Sequence, residues 1–140
     1  MSLSLVPARV FSSYAAVTPE YLADRGVRLL LSDLDFTLAP KSCPAPDEAV
    51  RAWIASMQRA GIEVMILSNN RSPVRVERFC KDLGIRYIGW AKKPWPPGFR
   101  RARALTGVPA GETAMLGDKL LTDMLGANLN GCLALMVEPM

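Results

Sequence analysis

The sequence predicts an α/β fold: a Rossmann-like three-layer sandwich around a parallel sheet of about five strands, with no inserted cap domain. Three observations predict it. Short, almost wholly apolar runs recur along the chain, as expected of strands buried on both faces. Stretches with apolar residues at helical spacing separate them. Glycines and prolines fall at the boundaries between the two kinds of segment. Such alternation implies parallel strands joined by right-handed crossovers. With 140 residues, half of them apolar, the chain suits one compact domain over residues 1–140, with a short amino-terminal arm over about 1–26.

Taken in order, residues 1–16 show little periodicity and read as a loosely docked arm. The contrasting reading is an apolar contact with a membrane surface through Leu3, Leu5, Val6, Val10 and Phe11. Thr18 caps a short helix, with Pro19 at its first position, Glu20 in its first turn and Gly26 past its end. Residues 27–32 form the first strand, and a proline-rich loop with Pro40, Pro44 and Pro46 follows. Pro46, Asp47 and Glu48 open a helix whose buried face carries Val50, Trp53, Ile54 and Met57.

Gly61 ends that helix, and residues 62–67 are the second strand, closed by Ser68, Asn69 and Asn70. Ser72 and Pro73 start the next helix, with Val76, Phe79, Cys80 and Leu83 as its apolar stripe. Arg71, Arg75 and Arg78 lie on another face. A short third strand covers 85–88. A proline-rich segment around Lys93, Pro94 and Trp95 then precedes a helix carrying Phe99, Ala102 and Leu105. Trp53 and Phe79 read as core, whereas Trp95, between prolines, reads as half exposed near the pocket. The fourth strand, 113–116, ends at Gly117 and Asp118; a helix with Leu121, Met124, Leu125 and Asn128 leads to a fifth strand at 132–137.

The polar residues gather at one place in this order. Asp33, Asp35, Ser68, Lys93, Asp118 and Asp123 all follow the carboxyl ends of strands or lie close after them. Open α/β sheets bind ligands there. Asp33 and Asp35, two apart beyond a strand, leave on one side. Four carboxylates and one ammonium sum to about −3, which would repel a phosphate dianion; one divalent cation brings this to about −1. Oxygen ligands without histidine or thiolate favour Mg2+.

Composition excludes other chemistries. The chain has no histidine, so it carries no Ser/His or Cys/His catalytic pair and no His-ligated zinc. Cys43, Cys80 and Cys132 are far apart and read as reduced thiols of a cytoplasmic protein. No apolar run is long enough to span a bilayer, and the amino terminus lacks a secretory pattern. A formal charge of +4 hints at anionic partners and is no strong nucleic-acid signal. Nothing in the pattern specifies a subunit count.

These residues resemble the haloacid dehalogenase superfamily of phosphotransferases. Its DxDxT motif stands here as Asp33-Leu34-Asp35-Phe36-Thr37, its second motif as Ser68, its third as Lys93 before Pro94, and its GDxxxxD motif as Gly117-Asp118 through Asp123. The stretches VTPEYL, LSDLDFTL, ILSNN, AKKP and LGDKLLTDMLGANLNG are similar to the bacterial YqeG-type group of subclass IIIA, from about residue 17 onward. One departure is Phe36, where that group commonly has Gly or Asn, residues that accept unusual backbone angles.

The resemblance implies a Mg2+-dependent phosphatase. Asp33 would be the nucleophile that forms an aspartyl-phosphate, and Asp35 the general acid and base. Ser68, with its neighbour Asn69, and Lys93 would hold the phosphoryl oxygens. Asp33, the Asp35 backbone carbonyl and Asp118 would hold Mg2+, with Thr37 and Asp123 in support. A pocket without a cap suits a bulky phosphate ester. Relatives of the group are expected to dephosphorylate phosphatidylglycerophosphate, and Arg100, Arg101 and Arg103 would suit such an anionic lipid at a membrane surface. Two alternatives stand beside this: a binding module contacting RNA or protein through Arg71, Arg75 and Arg78, and a phosphatase for phosphoproteins or nucleic-acid ends.

Overall fold

The computed structural model describes residues 3–140. Its six strands are β1 (Arg9–Phe11), β2 (Leu29–Ser32), β3 (Glu63–Leu67), β4 (Tyr87–Ile88), β5 (Thr113–Gly117) and β6 (Leu133–Val137). They form one sheet in the order β1-β6-β5-β2-β3-β4, and every pairing is parallel. The helices are α1 (Pro19–Asp24), α2 (Glu48–Arg59), α3 (Pro73–Leu83), α4 (Pro96–Thr106) and α5 (Leu125–Leu129).

Alternation along β2 explains the three layers. Leu30 points into one apolar cluster with Trp53, Ile54, Met57, Val76 and Phe79 of α2 and α3. Leu29 and Leu31 point into the other, with Phe99 and Ala102 of α4 and Ala127 of α5. Both faces of the sheet are therefore covered, which is why its strands read as continuous apolar runs. Side-chain caps start α1, α2 and α3: Thr18, Asp47 and Ser72 accept the backbone N–H of Tyr21, Val50 and Arg75. Asp47, read from the sequence as part of α2, is its cap.

Two expectations need correction. The sheet has six strands, because residues 9–11 of the expected loose arm pair with β6. Phe11 is buried edge-on against Tyr21, and Trp53 donates its indole N–H to the Val17 carbonyl at 2.9 Å. A three-residue edge strand whose Val10 is exposed leaves almost no alternation to read. Of the arm, residues 1 and 2 lie outside the described residues. Leu3, Val6 and Val10 are exposed, while Phe11 belongs to the core.

The second correction concerns the helix expected before β6. Residues 120–124 wind as a π-helix, with both Asp123 and Met124 donating to the Lys119 carbonyl. The wider turn sends Leu121 into solvent and buries Asp123. Among the described residues no helix is long and apolar enough to cross a membrane. All three cysteines are free thiols.

Candidate active site

The sheet order reverses between β2 and β5. From β2 the chain moves outward through β3 and β4, then returns to β5 on the other side. Crevices beyond the carboxyl ends of strands at such a switch are where ligands bind. Asp33 follows β2 and Asp118 follows β5 at this crevice. Asp33 still belongs to the ladder, donating its N–H to Leu116 O at 2.9 Å.

Residues 34–39 then turn tightly. Leu38 N–H reaches Leu34 O at 3.0 Å and Phe36 N–H reaches Ala39 O at 2.8 Å. Leu34, Leu38 and Ala39 are buried and anchor the turn. Phe36 has φ 64°, in the left-handed region that Gly or Asn would occupy more easily. The turn keeps that shape despite the phenylalanine.

Asp33, Asp118 and Asp123 each present a carboxylate oxygen, and these oxygens lie within 4.8 Å of one another. Asp123 is fully engaged: Oδ1 takes the Lys93 ammonium at 2.6 Å and Oδ2 takes the Lys119 N–H at 3.2 Å. Its approach depends on Gly117, where a Cβ would meet Asp123 Oδ2 at 2.1 Å. Asp33 Oδ1 accepts Leu34 N–H at 2.9 Å and lies 3.3 Å from the Lys93 ammonium. Asp33 Oδ2 has no hydrogen bond among the described residues. Asp118 accepts the Thr37 hydroxyl at 3.4 Å, which ties the loop after β2 to the loop after β5. This donor set, all oxygen and anionic, fits a hard divalent cation between Asp33 and Asp118.

Burial shapes the charges. It pushes the Asp33 carboxyl above its ordinary pKa; Lys93 pulls it back and Asp123 pushes it up again. Burial also pulls Lys93 toward losing its proton, but Asp123 and Asp33 together outweigh this and hold its pKa above the ordinary lysine value. Lys93 is thus a buried, charged bridge between two carboxylates.

Asp35 has different company. Its Oδ2 accepts the Asn70 amide at 2.7 Å, and Oδ1 lies 3.2 Å from the Arg75 guanidinium. Arg75 also donates to the Cys43 and Pro40 carbonyls, so one residue holds Asp35 and the proline-rich loop together. The three arginines read from the sequence as sharing another face of this helix therefore part ways: Arg75 is turned into the site, while Arg71 and Arg78 are exposed. Its position in the first turn of α3, just after the end of β3, is the signal that could have placed it at this rim.

A hollow of about 430 Å³ collects Asp33, Asp35, Asn69 and Lys93 on one wall system, with Phe36 and Thr122. Lys41, Asn70 and Lys119, none singled out as site residues from the sequence, line it too, as does Arg71, read from the sequence only as part of the alternative RNA- or protein-binding stripe. The net charge of about −3 counted from the sequence therefore omits the cations that offset it. Asn69 both lines the hollow and clamps Lys93, donating to its carbonyl at 3.0 Å and accepting its N–H at 2.8 Å. Ser68 is fully buried beneath the wall, its hydroxyl oxygen accepting Asn70 N–H at 3.0 Å. Trp95 is exposed and does not line this hollow. Trp90 lies on a neighbouring one.

Comparison with known proteins bears on this arrangement. The model of the haloacid dehalogenase-like hydrolase family matches residues 12–131. The chain is 38% identical over 123 residues to "Probable phosphatase YqeG" of Bacillus subtilis (strain 168), covering 88% of this chain and 71% of that protein. Its fold is similar to the cobalt-bound deoxy-D-mannose-octulosonate 8-phosphate phosphatase of Haemophilus influenzae, with a TM-score of 0.56 and 22% identity over 67% of this chain. This chain spans only 60% of that enzyme's length. A haloacid dehalogenase-like hydrolase of Brucella suis 1330 gives a TM-score of 0.60 at 11% identity, covering 86% of this chain and 91% of that one. At such identities the two structures speak for the fold alone.

Proposed function

The chain belongs to the haloacid dehalogenase-like hydrolase family, and from that premise we propose that it hydrolyses phosphomonoesters through an aspartyl-phosphate on Asp33. The observation that carries this reading is the cluster of Asp33, Asp118 and Asp123, with the buried Lys93 bridging Asp33 and Asp123, beside a cation-lined hollow that Asp33 and Lys93 help to wall.

In the first step Asp33 attacks phosphorus, the ester P–O bond breaks, and Asp35 gives a proton to the departing oxygen. In the second, Asp35 takes a proton from water as the water attacks the aspartyl-phosphate, releasing phosphate and restoring Asp33. Lys93 stabilises the phosphoryl oxygens as charge shifts onto them, from a position fixed by Asp123 and Asn69. Thr37 holds Asp118, and Ser68 shapes the turn that presents Asn70 to Asp35. Asp33, Asp118 and the Asp35 backbone carbonyl would hold Mg2+, which when bound neutralises the phosphate and draws it toward the nucleophile.

Lys41, Arg71 and Lys119 around an uncapped mouth favour a bulky anionic ester. A lipid phosphate such as phosphatidylglycerophosphate fits that description, with a cytoplasmic protein meeting a membrane surface only peripherally. Phosphate release from a panel of phosphomonoesters, measured after chelation and again after Mg2+ is restored, tests the reading. Turnover that returns with Mg2+ supports it, and no release from any ester would overturn it.

A further inference from the structure

Beside the catalytic hollow lies a second one of about 580 Å³, walled by Pro73, Tyr87, Gly89 and Trp90 together with Asn70 and Arg71. Asn70 and Arg71 also wall the catalytic hollow, so the two spaces share a partition. Its size is that of a small-molecule site. Tyr87 and Trp90 are 39% and 44% exposed, large ring surfaces that the core does not use.

The backbone is bent to present them. Trp90 has φ 48° and Lys92 φ 58°, both in the left-handed region that side-chain-bearing residues adopt at a cost. Hydrogen bonds from Trp90 N to Asn70 O at 3.3 Å and from Ala91 N to Ser68 O at 2.8 Å pin the bend to the catalytic loop. The Arg71 guanidinium sits 4.5 Å from the indole centroid, and the Lys92 ammonium 5.9 Å. The wall is thus made of flat rings beside a cation, one step from where the phosphate would bind.

We propose that this second hollow is the leaving-group subsite, and that it takes a planar aromatic ring system, an aryl group or a nucleobase, carried by the phosphate. The proposal rests on the phosphatase reading of the catalytic hollow. Ring faces bury the flat apolar body of such a group, and Arg71, at the partition, can meet its edge or its phosphate. Without a cap, binding energy from this remote part of the substrate is available to orient the ester for attack.

The test compares kcat/KM for 2-naphthyl phosphate and glycerol 3-phosphate in wild type, Trp90→Ala and Trp90→Phe. Intrinsic leaving-group reactivity cancels when each variant's substrate ratio is divided by the wild-type ratio. Trp90→Ala should lower the naphthyl-to-glycerol ratio about tenfold, and Trp90→Phe less than about threefold. An unmoved ratio would overturn the subsite. So would a loss confined to phosphatidic acid in detergent micelles, which would mark the hollow as an acyl-chain site. Calorimetric binding of 2-naphthyl phosphate to Asp33→Asn protein repeats the comparison without turnover. Adding Trp90→Ala should weaken that binding about tenfold while leaving inorganic phosphate binding in place. No binding, or equal binding, would overturn the subsite. Wild-type protein that turns over neither ester contradicts the phosphatase reading alone, because the calorimetry still decides the subsite.

Discussion

The Arg75 guanidinium lies 3.2 Å from the Asp35 carboxylate and donates as well to the carbonyls of Cys43 and Pro40. One side chain from the first turn of α3 therefore holds both the proposed acid and base and the loop that follows it. Neither group of the pair is widely open to water, with 11% and 14% of their side chains exposed. Such a pair is more than a surface ion pair and acts through geometry.

Arg75→Ala leaves Asp35 with Asn70 alone and frees the proline-rich loop. Steady-state kinetics on p-nitrophenyl phosphate should show kcat lowered about 10- to 100-fold, at or below the low end of the roughly 100- to 10,000-fold that a positioned acid or base contributes because Asp35 itself remains, with KM changed less than about threefold. Arg75→Lys should recover only part of this, since a single ammonium cannot reproduce a fork that meets a carboxylate and two carbonyls. Unchanged kcat in Arg75→Ala would remove Arg75 from the account.

Gly117→Ala should disrupt the site from below. The added methyl would meet Asp123 Oδ2 at 2.1 Å, so Asp123 must leave Lys93 or the end of β5 must move. Separating a buried ion pair costs about 3 kcal/mol or more. Urea denaturation should show a loss of about that size, and phosphate release should fall with it. A variant as stable as wild type would show that Asp123 is not held there.

Asp33 gives a prediction whose sign is fixed by its burial. Because its native pKa is raised above 3.8, the native state holds this proton to a higher pH than the unfolded chain does. Metal-free protein therefore loses stability from this group as pH rises from 3.8 through the higher native value. Asp33→Asn removes that loss. Scanning calorimetry of chelated protein should find its Tm above wild type near neutral pH. The gap should close once the pH drops below the ordinary carboxylate range. Mg2+ should then raise the Tm of wild type and not that of Asp33→Asn.

Much of this architecture was legible because the strands are buried on both faces and so leave continuous apolar runs. Leu29 to Leu31 lead directly to Asp33, and Thr113 to Leu116 to Asp118, which is why the meeting of those carboxylates followed from strand order. Short-range pattern failed where a residue's role is set by a distant partner. Arg75 looks like a solvent-facing arginine until Asp35 is folded against it. The π turn at residues 120–124 goes with an ion pair between Asp123 and the distant Lys93, which no helical periodicity encodes. β1 was missed because three residues at a sheet edge carry too few buried side chains to announce a strand.

The most direct test of the proposed chemistry is to trap Asp33 itself. Protein mixed with Mg2+ and a phosphomonoester, quenched in acid and mapped by peptide mass spectrometry, should carry a phosphate-sized mass increment on the peptide containing Asp33, absent from Asp33→Asn. Phosphate release by wild type without that adduct, or with the adduct on another residue, would contradict the account.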